Sequence, residues 1–247
     1  MTSSPVPFDF STRHEIEEWM DDLSISEAQL TRALRDLRRI NRLLGAYRAT
    51  NTLLDPILKQ RDELRIVDLG CGGGDYLCRF VRRGPRFGCR VRAVGIDANA
   101  VTVGHARAFL DDRLPGRLRS RARVDVGDAL DPDLPSDAFD VAHAALFLHH
   151  LHGSAAPALL RQMDRITTNG ILVNDLHRHP LAYFGIWGLS RLLRLAPMVQ
   201  HDGPISVLRG FRRPELTEIA SRAALPDPDI QWHWAFRWTL STLPRFD

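Results

Sequence analysis

Lysine is almost missing from this chain: among its 33 lysines and arginines, only Lys59 is lysine. The arginines are spread along the sequence, with local groups such as Arg117, Arg119, Arg121 and Arg123. A nucleic-acid surface, which gathers arginine on one face with interleaved aromatics, is therefore not expected. Cysteine is scarce too. Cys71, Cys78 and Cys89 are an odd number with no CxxC spacing, which argues against a disulfide framework. No apolar run follows a basic start, so a reducing, cytoplasmic setting is the expectation. The longest uncharged apolar run, Pro180 to Ser190, is far too short to span a bilayer. Internal repeats and low-complexity linkers are absent as well.

What is present is an ordinary soluble composition, 44% apolar and 26% charged over 247 residues. Ser26 with Gln29 reads as a capping box. Leu30, Leu34, Leu37, Ile40 and Leu44 then recur at helical spacing. A second helix is expected from Thr52 to Glu63, so residues 1–63 read as a helical extension or lid. From Leu64 the pattern changes. Strand-like runs "LRIVDL", "VRAVGID", "RVDVG", "FDVAHAA" and "GILVND" alternate with helix candidates at Tyr76–Arg83, Asn99–Leu110 and Ala155–Ile166. Such alternation predicts an α/β fold with a parallel sheet covered by helices on both faces, over residues 64–247. The stretch from Ile230 to Leu240 has strand periodicity and is expected to break into a hairpin near Ala235.

The first strand ends in "DLGCGGGD", with Gly70, Gly72, Gly73 and Gly74 opening a helix. A glycine turn at a helix N-terminus lets a ligand lie against backbone N–H groups. A dinucleotide site would place glycine where Asp75 stands, and an anion there repels pyrophosphate. Asp68 and Asp75 instead suit a ligand that brings positive charge. Asp97 ends the second strand and Asp128 follows the third. This D-x-G-x-G-x-G segment and the two later acids resemble the class I S-adenosylmethionine-dependent methyltransferases. The resemblance covers Leu64 to about Asp175. It implies a Rossmann-like, seven-stranded, mostly parallel sheet with an antiparallel last strand. It further implies S-adenosylmethionine as cofactor, with S-adenosylhomocysteine as product, held by Asp68, Gly70, Cys71, Gly72, Gly74, Asp97, Ala98, Asp128 and Ala129. In that family the acid at Asp97 takes the ribose hydroxyls, the acid at Asp128 meets the adenine amino group, and Asp68 orders the turn.

The acceptor side is less explicit. The [DNS]-P-P-[FYW] turn of methyltransferases acting on planar amines is replaced here by "AALFLHHLH". That stretch resembles the small-molecule branch acting on quinones and phenols, and "LVNDLHRHPLAYF" is similar to O-methyltransferases linked to type III polyketide pathways. Six of the ten histidines lie between His143 and His179. His149, His150 and His177 follow strands four and five, at the carboxyl end of the sheet where open α/β folds bind ligands. An imidazole there can take the proton of a phenol as its oxygen attacks methyl. Full transfer beforehand would cost roughly 5 kcal/mol, because the two groups differ by about 3.5 pKa units. His150 and His177 are the expected bases, with His149 beside them. No metal is expected, since the loop after strand four has no carboxylate and hard cations prefer oxygen ligands. Residues 180–210 read as an apolar substrate lid, and Arg191 and Arg194 would also suit contact with a membrane surface. The expected activity is O-methylation of a phenolic, polyketide- or alkylresorcinol-like molecule. The rivals are C-methylation of a quinone or aromatic ring, a non-catalytic cofactor- or partner-binding protein, and an RNA methyltransferase.

Overall fold

The computed structural model describes residues 9–22 and 26–245, so most of the expected frayed start lies outside the described residues. A short 3-10 turn at Trp19–Asp21 precedes α1 (Glu27–Leu43) and α2 (Ala46–Lys59). Then come β1 (Glu63–Leu69), α3 (Asp75–Arg83), β2 (Arg90–Asp97), α4 (Ala100–Arg113), the single turn α5 (Gly116–Arg119) and β3 (Ala122–Val126). The second half runs β4 (Val141–Ala145), α6 (Ala155–Arg165), β5 (Ile171–Leu176), α7 (Pro180–Leu192), α8 (Pro197–Arg209), α9 (Arg213–Arg222), β6 (Asp229–His233) and β7 (Arg237–Ser241). The sheet order is β3-β2-β1-β4-β5-β7-β6, with β7 the strand that runs antiparallel to its neighbours. The order reverses beside β1, so the ends of β1, β2 and β4 form the crevice in which such sheets hold ligands.

The alternating strand pattern divides the core into two layers. Val67, Leu69, Ala142, Ala144, Ile171, Val173, Trp238 and Leu240 face α6 and α9. Leu64, Ile66, Val141 and Leu172 face α2 and α3. Leu54, Ile57 and Leu58 of α2 are at most 1% exposed in that second layer. Truncating any of them to alanine should cost about 2–5 kcal/mol, so α2 is part of the core that carries the sheet. Two helix starts differ from the sequence expectation. Ser26 bonds the Gln29 side chain at 2.7 Å and caps no backbone N–H. Helix α2 begins at Ala46, six residues before the expected Thr52, because Gly45 turns the chain in the left-handed region at φ +69°. The hairpin between β6 and β7 turns through Ala235 and Phe236, both at positive φ.

Candidate active site at the strand ends

The glycine turn leaves β1 with Gly70, Gly72 and Gly74 at φ +68°, +50° and +72°. Side chains are costly in this region, which is why the segment is so bare. The turn is tied to β2: the Gly70 and Cys71 N–H groups both donate to the Ile96 carbonyl, at 2.9 and 3.1 Å. At the end of β2, the Asp97 carboxylate accepts from Gly72 N–H at 2.9 Å and from Asn99 N–H at 3.1 Å. Burial raises its pKa above the ordinary carboxylate value. Asp68 lies deeper than the resemblance implied. It accepts from His143 Nδ1–H at 2.7 Å, both side chains being buried, and Asp97 makes the contact to the turn's backbone. Thr50 lies 3.4 Å from the far nitrogen of His143 and accepts from Asn174 at 3.0 Å. A buried polar chain therefore links β1, β4, β5 and α2. Asp75 accepts from the Tyr47 hydroxyl at 2.6 Å, and its pKa is raised by burial.

The turn fits S-adenosylmethionine. A Cβ built on Gly72 would meet nothing within 4 Å, so the backbone there stands open to a ligand. A Cβ on Gly70 would fall 2.4 Å from the Phe147 ring, which closes the turn from the β4 side. Asp128 and Ala98 are exposed at the ends of β3 and β2, Asp128 accepting from Leu130 N–H at 2.8 Å. Ala129 and Cys71 are buried beneath them. Carboxylates without phosphate-binding cations suit a cationic adenosine compound.

Beyond Phe147, a 3-10 turn at Leu148–His150 ends the β4 crossover. His149 Nδ1–H donates to Asp175 at 2.7 Å, and its Nε2 lies 3.6 Å from Glu18. Burial alone would lower this imidazole, but the charges of Asp175 and Glu18 outweigh burial and raise its pKa to about 9. His150 Nδ1–H donates to Asp21 at 2.7 Å, leaving Nε2 as the ring nitrogen able to take a proton. Burial opposes ionisation of Asp21, yet His150 and Arg209 hold its carboxyl far below the usual range. Arg209 bonds Asp21 at 2.6 Å and the His150 carbonyl at 3.1 Å, and Arg13 bonds the His149 carbonyl at 3.0 Å. The histidine pair is thus fixed through both side chain and backbone. The Phe147 ring, which closes over Gly70, has its centroid 6.5 Å from that of the His150 ring, so the pair stands beside the cofactor turn.

His177 lies elsewhere. Its ring sits against His179, Phe236 and Trp238 on the β7 flank, and its Nδ1 accepts from the Trp232 indole at 3.2 Å. Burial, then the neighbouring His179, Arg212 and Arg178, lower its pKa to about 4. Glu18, Asp21, Arg13 and Arg209 did not stand out in the sequence. The available signal was the acidic run from Glu15 to Asp22, which lies far from the histidines along the chain. Glu18, His149 and His150 bring one donor atom each within 4.8 Å of one another, a grouping that could hold a metal ion. As it stands, the Glu18 carboxylate faces His149 and Arg209, both at 3.6 Å, and its charge is balanced.

The His149 geometry sets a pH dependence of stability. Its folded pKa of about 9 exceeds the unfolded value of about 6.5, so its contribution is fully present below pH 6.5 and is lost as pH rises through 9. The expected loss is on the order of 3 kcal/mol. Urea unfolding between pH 6 and 10 should show wild type losing that much more stability than His149→Gln. Parallel curves would refute the charged pairing.

A family model described as a methyltransferase domain matches residues 66–170. Ajmaline N-methyltransferase of Rauvolfia serpentina is 29% identical over 127 residues, half of this chain and 39% of that protein. Ubiquinone biosynthesis O-methyltransferase of Alkalilimnicola ehrlichii is 30% identical over 142 residues, 56% of this chain and 52% of that protein. The matched region thus spans about half, or less, of these two relatives. The fold is similar to a solved S-adenosylmethionine-dependent methyltransferase from Aquifex aeolicus, with TM-score 0.61 at 14% identity, covering 88% of this chain and 98% of that one. Among the described residues, no helix is long and apolar enough to cross a membrane. The matched region holds the glycine turn, Asp97, Asp128 and the histidine pair at the carboxyl ends of the strands, so that residues 66–170 carry a methyltransferase domain within a chain whose fold is that of a solved S-adenosylmethionine-dependent methyltransferase.

Proposed function

We propose that the protein methylates a hydroxyl oxygen of a small lipophilic acceptor, with His150 as the base. The observation that carries this reading is the His150–Asp21 pair, set beside Phe147, whose ring closes over Gly70 of the cofactor turn. S-adenosylmethionine, when bound, supplies a methyl group on a positively charged sulfur. Asp97, Gly70, Gly72 and Asp128 hold and orient that cofactor. His150 accepts the acceptor's proton at Nε2 while Asp21 keeps the ring in the required tautomer. The two curated relatives act on nitrogen and on oxygen by their names. A neutral amine attacks through its lone pair without a base, whereas a hydroxyl must lose its proton, so a carboxylate-held imidazole favours oxygen. His177 is a weaker choice, because its Nδ1 is taken by Trp232 and its Nε2 then carries the proton.

The lipophilic character rests on the apolar elements around this edge. Ile186 and Leu189 of α7 and Met198 and Val199 of α8 pack with Ala33 and Ile40 of α1. We assign α1 and residues about 180–210 as the cover of the acceptor, α2 belonging to the core of the sheet, with phenolic polyketides or alkylresorcinol-like molecules of secondary metabolism as the substrate class and the cytoplasm as the setting. The test is incubation with S-adenosylmethionine and a panel of alkylresorcinols, hydroxycoumarins and quinols, read by mass spectrometry. The expected result is one added methyl on a phenolic lipid with matching S-adenosylhomocysteine. Tight cofactor binding with no product across the panel would point to a non-catalytic binding protein.

A further inference from the structure

Helix α7 is oriented against the usual rule for a surface helix. Its Ile186 and Leu189 face α1 and α8, yet the opposite side is apolar as well. Leu181 is 66% exposed, Trp187 47% and Leu192 78%, with Gly185 and Gly188 on the same side. The charged residue on this face, Arg191, lies over the Trp187 ring at 4.4 Å and bonds its carbonyl. A contiguous exposed apolar face of this kind is costly in water and marks an interaction surface. Leu193, 38% exposed, carries it into an adjoining cleft of about 1160 Å³ between α1, α3 and α4. That cleft is dominated by arginine. Arg35, Arg42, Arg82 and Arg86 are exposed there and form no ion pair among the described residues. Its lining acids are Asp75, held by Tyr47, and Asp112, paired with Arg113.

We propose that α7 and the arginine cleft beside it form a docking surface for the anionic face of a lipid bilayer. A convex helix face suits the interfacial plane of a bilayer, in which apolar side chains enter the acyl boundary and tryptophan and arginine sit at headgroup level. The unpaired arginines supply the complementary charge, each strengthening binding to an anionic surface about fivefold. Docking would bring the cover of the active site to a lipophilic acceptor; that purpose rests on the proposed substrate class, whereas the binding itself does not.

The test is co-sedimentation of the full chain with phosphatidylcholine vesicles, with and without phosphatidylglycerol. Wild type should pellet with the anionic vesicles, weakly with the neutral ones, and less as salt is raised. Leu181→Ser/Leu192→Ser should reduce binding tenfold or more, and Arg42→Ser/Arg82→Ser roughly 25-fold, at two arginines of about fivefold each. S-adenosylhomocysteine affinity, measured on the same samples, should stay at the wild-type value and so certify folding. Equal binding to both vesicle types, no binding, or full binding by the folded leucine variant would overturn the proposal. So would a wild-type dimer in light scattering that Leu181→Ser/Leu192→Ser dissociates, because a second copy would then cover the face. Vesicle binding without methyl transfer would leave the surface standing and count against the proposed reaction.

Discussion

Asp97→Ala should lower the affinity for S-adenosylhomocysteine by two orders of magnitude or more. Two effects add. The paired hydrogen bonds that the ribose hydroxyls would donate to the carboxylate are lost, each worth about 1.5–3 kcal/mol. Gly72 N–H and Asn99 N–H also lose the acceptor that now holds them at 2.9 and 3.1 Å, so the turn loses its brace. Asp128→Ala should do less, because that side chain is exposed and its contact within the fold is to Leu130 N–H. Titration calorimetry of both variants checks the order. Unchanged affinity in Asp97→Ala, or tight binding of a nicotinamide dinucleotide in its place, would remove the cofactor assignment for this residue.

The second large effect concerns the base. His150→Ala should slow single-turnover methyl transfer by about 10²–10⁴ with cofactor affinity unchanged. Asp21→Asn should act in the same direction and less severely, since it keeps a partner for Nδ1 but no longer stabilises the imidazolium. His177→Ala should leave the rate near wild type, its ring being held by Trp232 on the β7 flank. If His150→Ala keeps the wild-type rate while His177→Ala does not, the roles are reversed and the base lies beside β7.

Features written in short spacings were legible in the sequence. The strand runs, the glycine turn, the three acids at successive strand ends and the break near Ala235 depend on local pattern and backbone conformation. What was not legible depends on distant partners. Asp68 was expected at the turn because its neighbours are the glycines, but the parallel register places it opposite His143 on β4, 75 residues on. His149 and His150 were recognisable as a pair, whereas Glu18 and Asp21, which fix them, come from a segment that carries no periodicity. The contact between Asp21 and His150 spans 129 residues, a separation that no spacing rule reaches. His177 looked equivalent to His150 by position after a strand. Its difference comes from the β6–β7 hairpin, which brings Trp232 to its ring.

The most direct test is where the methyl group arrives. Wild-type protein is supplied with S-adenosylmethionine carrying a ¹³C-labelled methyl and with the phenolic lipid that the mass-spectrometric panel selects. The product is then read by carbon NMR. A methyl bound to oxygen, formed by wild type and at a rate lower by about 10²–10⁴ in His150→Ala, is the predicted result. A methyl bound to a ring carbon, or equal rates in the two proteins, would contradict it.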